Sequence, residues 1–439
     1  MVAAIGTARA AAAVTEEAAA GAPAVGQSVG RQLQEPFYAR NQSGILTARQ
    51  NHTCLAAFDL VPDTPADSVR PMRDWTAAAR LADGDTAAPP DASLDAPGAD
   101  SGETMGMGVA RLTLTFGFGA GVFKHGRRDR YGLRAKRPEA LVDLPLFNGD
   151  QLEPERAGGD LSVQACADDP QVAFHAIRQL ARRANGVARL RWTQAGFTAN
   201  AAAEETPRNL MGFHDGTQNP VSRQPSETDD GVTRSNPARL EEVVWVADEG
   251  PAWMRDGSYL VVRRIRFALG HWDNTDVSFQ EETICRHEYP GAPIGGKYRL
   301  DPLDLDASDQ AGNPLIAQNA HVRMAAAASN GGAQMLRRAF SYNDGLKMTA
   351  ERWPPWRQGL EYDAGLLFIC YRRDPRTSFI KMFEPMSRLD ALNQYTTHTG
   401  SGLFTIPPGA RGRLHRRGGA VPAWLVMSLA RSRGSRRWG

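Results

Sequence analysis

The segment 158–197 constrains this chain more than any other. LSVQACA (161–167) is a short apolar run of the kind that forms a buried strand. Asp168 or Asp169 then offers a carboxylate to cap a helix, with Pro170 near its first turn. Val172, His175, Ala176 and Leu180 fall at helical spacing, and Asn185-Gly186 ends the helix. ARLRWTQAGF (188–197) reads as the next strand. A helix between two strands buries its apolar stripe on a sheet, which is an α+β layer. LAAFDLV (55–61) and RLTLTFGF (111–118) supply two more strands to this half.

The order recurs further on. SYLVVRRIRFAL (258–269) and DAGLLFICYRR (363–373) read as strands, RLDALNQYTTHTG (388–400) as a helix closed by Gly400, and GLFTIP (402–407) as a last strand. A chain of 439 residues is also long for one ordinary core. The repetition predicts two related units, 34–205 and 206–410. Residues 83–102, rich in Pro, Gly, Ala and Asp, read as a surface loop.

Both ends differ from this body. Residues 1–33 read either as a disordered leader or as the remnant of an export signal. Ala22-Pro23-Ala24 resembles a cleavage site, but Glu16 and Glu17 interrupt the apolar stretch and no twin arginine precedes it. Residues 411–439 carry eight arginines and no acid, an atypical tail that is expected to be solvated. A net charge of +2 gives no general argument for a nucleic-acid partner. No run of 18 apolar residues occurs, so no membrane span is expected. Cys54, Cys166, Cys285 and Cys370 are widely spaced with no CxxC, which predicts free, buried thiols.

Three sites offer chemistry. Asp215 stands in MGFHDGTQNP (211–220), His321 opens a small-residue segment, and Arg337-Arg338 follow Asn330-Gly331-Gly332. Singly, each has a bland reading: Asp-Gly marks a turn, a lone histidine is usually structural, and paired arginines usually face water. Taken with EPFYARNQSGI, GGDLSVQACADDPQVAFHAIR, GSYLVVRRIR, GAPIGG and LDALNQYTTHTGSGLFTIPPG, they form a set. The chain from about 35 to 410 resembles the dye-decolourising (DyP-type) haem peroxidases, in particular the exported bacterial deferrochelatase/peroxidase branch. Gly212-Phe213-His214-Asp215-Gly216 corresponds to the family's GxxDG motif.

The resemblance implies two ferredoxin-like α+β domains with antiparallel sheets, of the dimeric α/β-barrel type. It implies one haem b per chain, with His321 as the iron ligand and Asp215 as the distal acid–base. A carboxylate in that role implies activity weighted toward acidic pH. Arg337 would stabilise charge as the O–O bond breaks. Gly216, Thr217 and Gln218 would lie against the porphyrin, Ala326, Ala327 and Ala328 would line it, and Arg323 would meet a propionate. Asp390 and Asn393 are the candidates for the acceptor that holds the other nitrogen of His321. His214 reads as incidental.

The implied activity is reduction of hydrogen peroxide with oxidation of an organic donor. Alternatives are release of iron from haem with the porphyrin intact, and a non-catalytic haem carrier. The implied setting is periplasmic or exported by the twin-arginine route, otherwise cytoplasmic, with iron-uptake components and a second copy of the chain as possible partners. Met324 to Ala328 stand where the family often has a proline, and the arginine-rich ending does not follow the family pattern.

Overall fold

In the computed structural model, residues 34–61, 75, 98, 100–124, 126, 128–129, 131–199, 206–220, 237–350 and 358–410 are described. The leader, most of the 83–102 loop and the 411–439 tail lie outside them. Among the described residues, nine strands form one antiparallel sheet. They are β1 (His52–Leu60), β2 (Thr113–Phe118), β3 (Leu161–Ala167), β4 (Ala188–Phe197), β5 (Ser258–Phe267), β6 (Leu336–Arg337), β7 (Phe340–Ala350), β8 (Gln358–Arg372) and β9 (Thr396–Ile406). The sheet runs β5-β9-β2-β3-β1-β4-β7-β8-β6, and β8 also pairs with β5, so eight of the strands close on themselves.

The closed sheet contains the same motif twice. In β2-β3-β1-β4 the order is second, third, first, fourth, and β7-β8-β5-β9 repeats it. This is the ferredoxin-like arrangement. In each half a helix joins the third strand to the fourth: α1 (Pro170–Arg183) and, later, a second helix at Lys381–Leu389. The halves meet at two narrow seams, Phe118 opposite Thr405 and Phe197 opposite Ser341. At the first, Thr405 Oγ1 donates to the Phe118 carbonyl at 3.1 Å.

Strand alternation sorts the side chains into separate cores. Leu55 and Ala57 of β1, Leu260 and Val262 of β5, Phe340 and Tyr342 of β7, Leu367 and Ile369 of β8, and Phe404 and Ile406 of β9 share one buried cluster drawn from both halves. The opposite face of β1 and β3 presents Ala56, Phe58, Val163 and Ala165 to α1, which answers with Val172, Ala176 and Leu180. Asp169 caps α1 by accepting from the Gln171 and Val172 amides. All four cysteines are free and buried, and burial pushes the Cys54 thiol up to about 12.

Two expectations change. Residues 388–400 are not one helix: a 3-10 turn at Ala391–Gln394 leads directly into β9 at Thr396. The run Thr396-Thr397-His398-Thr399 carries β-branched side chains that suit a strand. Gly400, expected as a helix cap, lies inside β9 opposite Arg264. A Cβ there would come 2.8 Å from the Arg156 carbonyl. The β7–β8 pairing and the helix at Lys381–Leu389 were not expected from the sequence. Among the described residues, no helix is long and apolar enough to cross a membrane.

The shared core predicts a measurable dependence. Phe404, with no exposed surface and packed beside a seam, should cost about 3–5 kcal/mol on replacement by alanine. Chemical denaturation would show it as a lower midpoint with an unchanged slope.

Candidate active site

The outward face of β5 and β8 floors a cavity of about 380 Å³. Arg263 and Ile265 of β5 and Leu366 and Phe368 of β8 line it, each one position out of phase with the shared core. Three further segments close over this floor: the turn at 209–218, the stretch 321–337, and the helix α4 (Lys381–Leu389) with the residues after it. Two shorter helices also border the cavity, α2 (Val277–Ile284) and α3 (His321–Ala325).

The Asp215 turn is held by its own backbone. The Asp215 amide donates to the Pro207 carbonyl at 2.9 Å, and the Asn209 amide to that of Phe213 at 2.9 Å. Gly212 and Gly216 have φ of +87° and +80°, a region that suits glycine. Phe213 anchors the turn from beneath, edge-on to Trp272 at 5.8 Å, and Trp272 Nε1 donates to the Met211 carbonyl at 2.9 Å. This scaffold leaves the carboxylate facing the cavity. Asp215 Oδ1 accepts from the Gly216 amide at 2.8 Å.

Arg337 meets Asp215 from another part of the chain. Its Nη1 lies 3.7 Å from Asp215 Oδ1, with both side chains largely buried. Strand alternation resolves the pair of arginines: Arg337 lines the cavity, whereas Arg338 turns away and donates to Gln50 Oε1 at 3.0 Å and to the Thr47 carbonyl. Asn219, four residues past Asp215, fixes the register. Its Nδ2 donates to the Arg337 carbonyl at 2.8 Å and its Oδ1 accepts from the Arg337 amide at 3.2 Å. One side chain therefore ties the aspartate's loop to the arginine's strand.

His321 opens α3, and its Nδ1 lies 2.7 Å from Asp390 Oδ2. A carboxylate only accepts, so Nδ1 carries the hydrogen, and in the neutral tautomer this selects it is Nε2 that offers a lone pair. The other oxygen of Asp390 accepts from the Leu392 amide at 2.9 Å, and the Ala391 amide donates to the Asn319 carbonyl at 2.9 Å. Of the two proposed acceptors, Asp390 is thus in contact; Asn393 instead donates to the Met386 carbonyl at 2.7 Å.

Of the other residues singled out in the sequence, Gly216, Thr217, Gln218, Ala326, Ala327 and Ala328 all line the cavity. Arg323 does not; its guanidinium donates to the Leu305 carbonyl. His214, read as incidental, lines the cavity, and its Nδ1 sits 2.5 Å from the Thr206 carbonyl.

Sequence reasoning missed three cavity residues as well as Asn219. Arg263, fully buried, pairs with Asp150 and donates to His398 Nδ1 at 3.1 Å and to Ser401 Oγ at 3.0 Å. Burial lowers its affinity for the proton. His398 lines the same wall. Arg286, just beyond α2, donates to the Gly291 and Arg299 carbonyls at 2.7 and 2.8 Å. Its Nε and Nη2 are buried without a hydrogen bond, and burial pulls it down to about 10. Asn219 lay within a quoted motif; Arg286 had no local signal.

These residues fit a haem. An imidazole with its second nitrogen anchored is the usual ligand arrangement for iron. Apolar walls flank it, and an Arg286 guanidinium with unmet donors suits an acidic substituent of a bound group.

Comparison with known proteins agrees. Residues 42–198 match the N-terminal and residues 206–411 the C-terminal sequence model of the Dyp-type peroxidases. The chain is 39% identical to a dye-decolorizing peroxidase of Thermobifida fusca, covering 80% of this chain and 76% of that protein. It is 33% identical to a deferrochelatase of Escherichia coli, covering 87% and 85%. Ferric DtpA from Streptomyces lividans superposes with a TM-score of 0.74 at 37% identity, over 90% of this chain and 98% of that one. A DyP-type peroxidase from Cellulomonas bogoriensis gives 0.74 at 32% identity, over 90% and 98%. With both halves matched and relatives covered along most of their length, the chain belongs to the Dyp-type peroxidases, haem proteins that use peroxide as oxidant.

Proposed function

We propose that this chain is a haem b peroxidase, one haem per chain, that reduces hydrogen peroxide and oxidises an organic donor. One observation carries the reading: Asp215 and Arg337 sit side by side in the same cavity as an imidazole held at Nδ1 by a buried carboxylate. His321 would hold the iron. Gly216, Thr217, Gln218 and Ala326–Ala328 would flank the porphyrin, and Arg286 would meet a propionate. All of them fall in 206–410, which on this reading is the haem-binding half. When bound, haem supplies the electrons that peroxide takes up and the donor returns.

The side chains do the rest. Asp215 accepts a proton from one peroxide oxygen and delivers it to the other. The Arg337 guanidinium stabilises the negative charge that grows on the departing oxygen. Asp390 orients the His321 ring and makes Nε2 a stronger donor. A simple haem carrier would need neither Asp215 nor Arg337. Iron release from haem is the second reading, favoured by the 33% identity to a deferrochelatase. Free protoporphyrin appearing after haem is supplied would mark that activity. An exported, periplasmic setting and partners in iron uptake belong to this reading through the resemblance, as does a homodimer.

Three outcomes are expected. His321→Ala should abolish the wild-type Soret band in a haem titration; an unchanged band would remove the histidine from the iron. Asp215→Asn and Arg337→Leu, assayed with peroxide and a dye, should each lower turnover by about 10²–10³-fold with haem still bound. Full turnover in both would sink the mechanism. Asn219→Ala should lower kcat by about 10–100-fold through a displaced Arg337 while the Soret band stays unchanged; wild-type kcat would show that the clamp is dispensable.

A further inference from the structure

A second cluster joins His175 of α1 to Asp100 and Glu103 of the segment before β2, and none of these residues lines the cavity. His175 sits on the buried face of the helix with its side chain 2% exposed. Both ring nitrogens are buried without a hydrogen bond, and so are both carboxylate oxygens of Glu103. In native proteins nearly every buried polar atom is satisfied by protein, water or an ion, so four such atoms on two facing residues call for a partner.

The spacing indicates its kind. Asp100 Oδ2 lies 3.5 Å from His175 Nε2, and Glu103 Oε1 lies 3.3 Å from Nδ1. A hydrogen-bonded imidazole and carboxylate close further, as His321 and Asp390 do at 2.7 Å. Separations above 3 Å are those of two ligands sharing a cation with bonds of about 2.0–2.2 Å. One ligand atom from each of the three residues falls within 4.8 Å of the others.

We propose that Asp100, Glu103 and His175 bind a first-row divalent cation, zinc or manganese, which fastens the segment before β2 onto α1. One imidazole nitrogen with two carboxylates is a donor set that suits these ions. The cation takes one ring nitrogen and one oxygen from each carboxylate. Two carboxylates and a neutral ring carry two negative charges, which a divalent cation cancels. Arg178, 3.3 Å from Glu103 Oε1, is half exposed, so water screens its charge. The segment is already positioned, since the Gln171 side chain donates to the Glu103 carbonyl.

The test uses full-length holoprotein purified without chelator. Elemental analysis counts zinc and manganese separately from haem iron. The protein is then stripped with EDTA and titrated with zinc chloride or manganese chloride while Tm is followed. About one equivalent of zinc or manganese per chain is expected, with Tm lowered by stripping and restored by the metal. Glu103→Gln and Asp100→Asn keep the side-chain shape and should weaken metal binding at least about tenfold. Wild-type protein that neither retains nor takes up either ion would overturn the proposal. So would folded variants that bind as tightly as wild type, or an NMR signal showing a protonated His175 ring in metal-free protein of unchanged Tm. Should both variants fail to fold, the wild-type metal content and the EDTA response still decide.

Discussion

The architecture depends on the alternation of side chains along β5 and β8. Each strand faces two environments at once. Leu260, Val262, Leu367 and Ile369 enter the core shared by both halves, while Arg263, Ile265, Leu366 and Phe368 floor the cavity. A shift of register by one residue would exchange these sets. It would put the Arg263 guanidinium into an apolar core and remove the floor from the site. The pairing of β5 with β8 and β9 therefore fixes the fold and the cavity together.

On that floor the working groups come from distant parts of the chain, and short connections set their geometry. Asn219 joins the aspartate turn to Arg337, 118 residues on. Asp390 joins the last turn before β9 to His321, 69 residues back. In each case one polar side chain makes two hydrogen bonds: Asn219 holds both backbone groups of Arg337, and Asp390 holds the His321 ring while accepting from the Leu392 amide. Such partners act as positioning groups: they limit how far the imidazole, carboxylate and guanidinium can drift from one another.

The first half was legible in the sequence because its signals are local. The strands at 161–167 and 188–197 match the structure residue for residue, and of the two offered caps Asp169 starts the helix, which stops at Arg183, just short of Asn185-Gly186. Asp169, Pro170 and the apolar spacing sit inside one window. The Asp215 turn was legible for the same reason, its glycines being needed at positive φ. Residues 388–400 failed because apolar spacing favoured a helix while tertiary pairing with β5 drew the threonine-rich run into a strand. The choice between Asp390 and Asn393, the direction of Arg323 and the role of Arg286 depend on contacts between segments that no single window contains.

His321 and His175 contrast in a way that bears on how the chain uses this residue. His321 has a carboxylate at 2.7 Å on one nitrogen, and that carboxylate is itself fixed by the Leu392 amide, so the ring's orientation and tautomer are set before any ligand arrives. His175 has a carboxylate on each side, and neither closes to hydrogen-bond distance. A ring held from one side is ready to donate its free nitrogen outward into a cavity. A ring flanked on both sides and buried in the interior, with no hydrogen bond on either nitrogen, is placed to share a cation with its neighbours. The same side chain thus serves different ends according to how many carboxylates face it and how closely they approach.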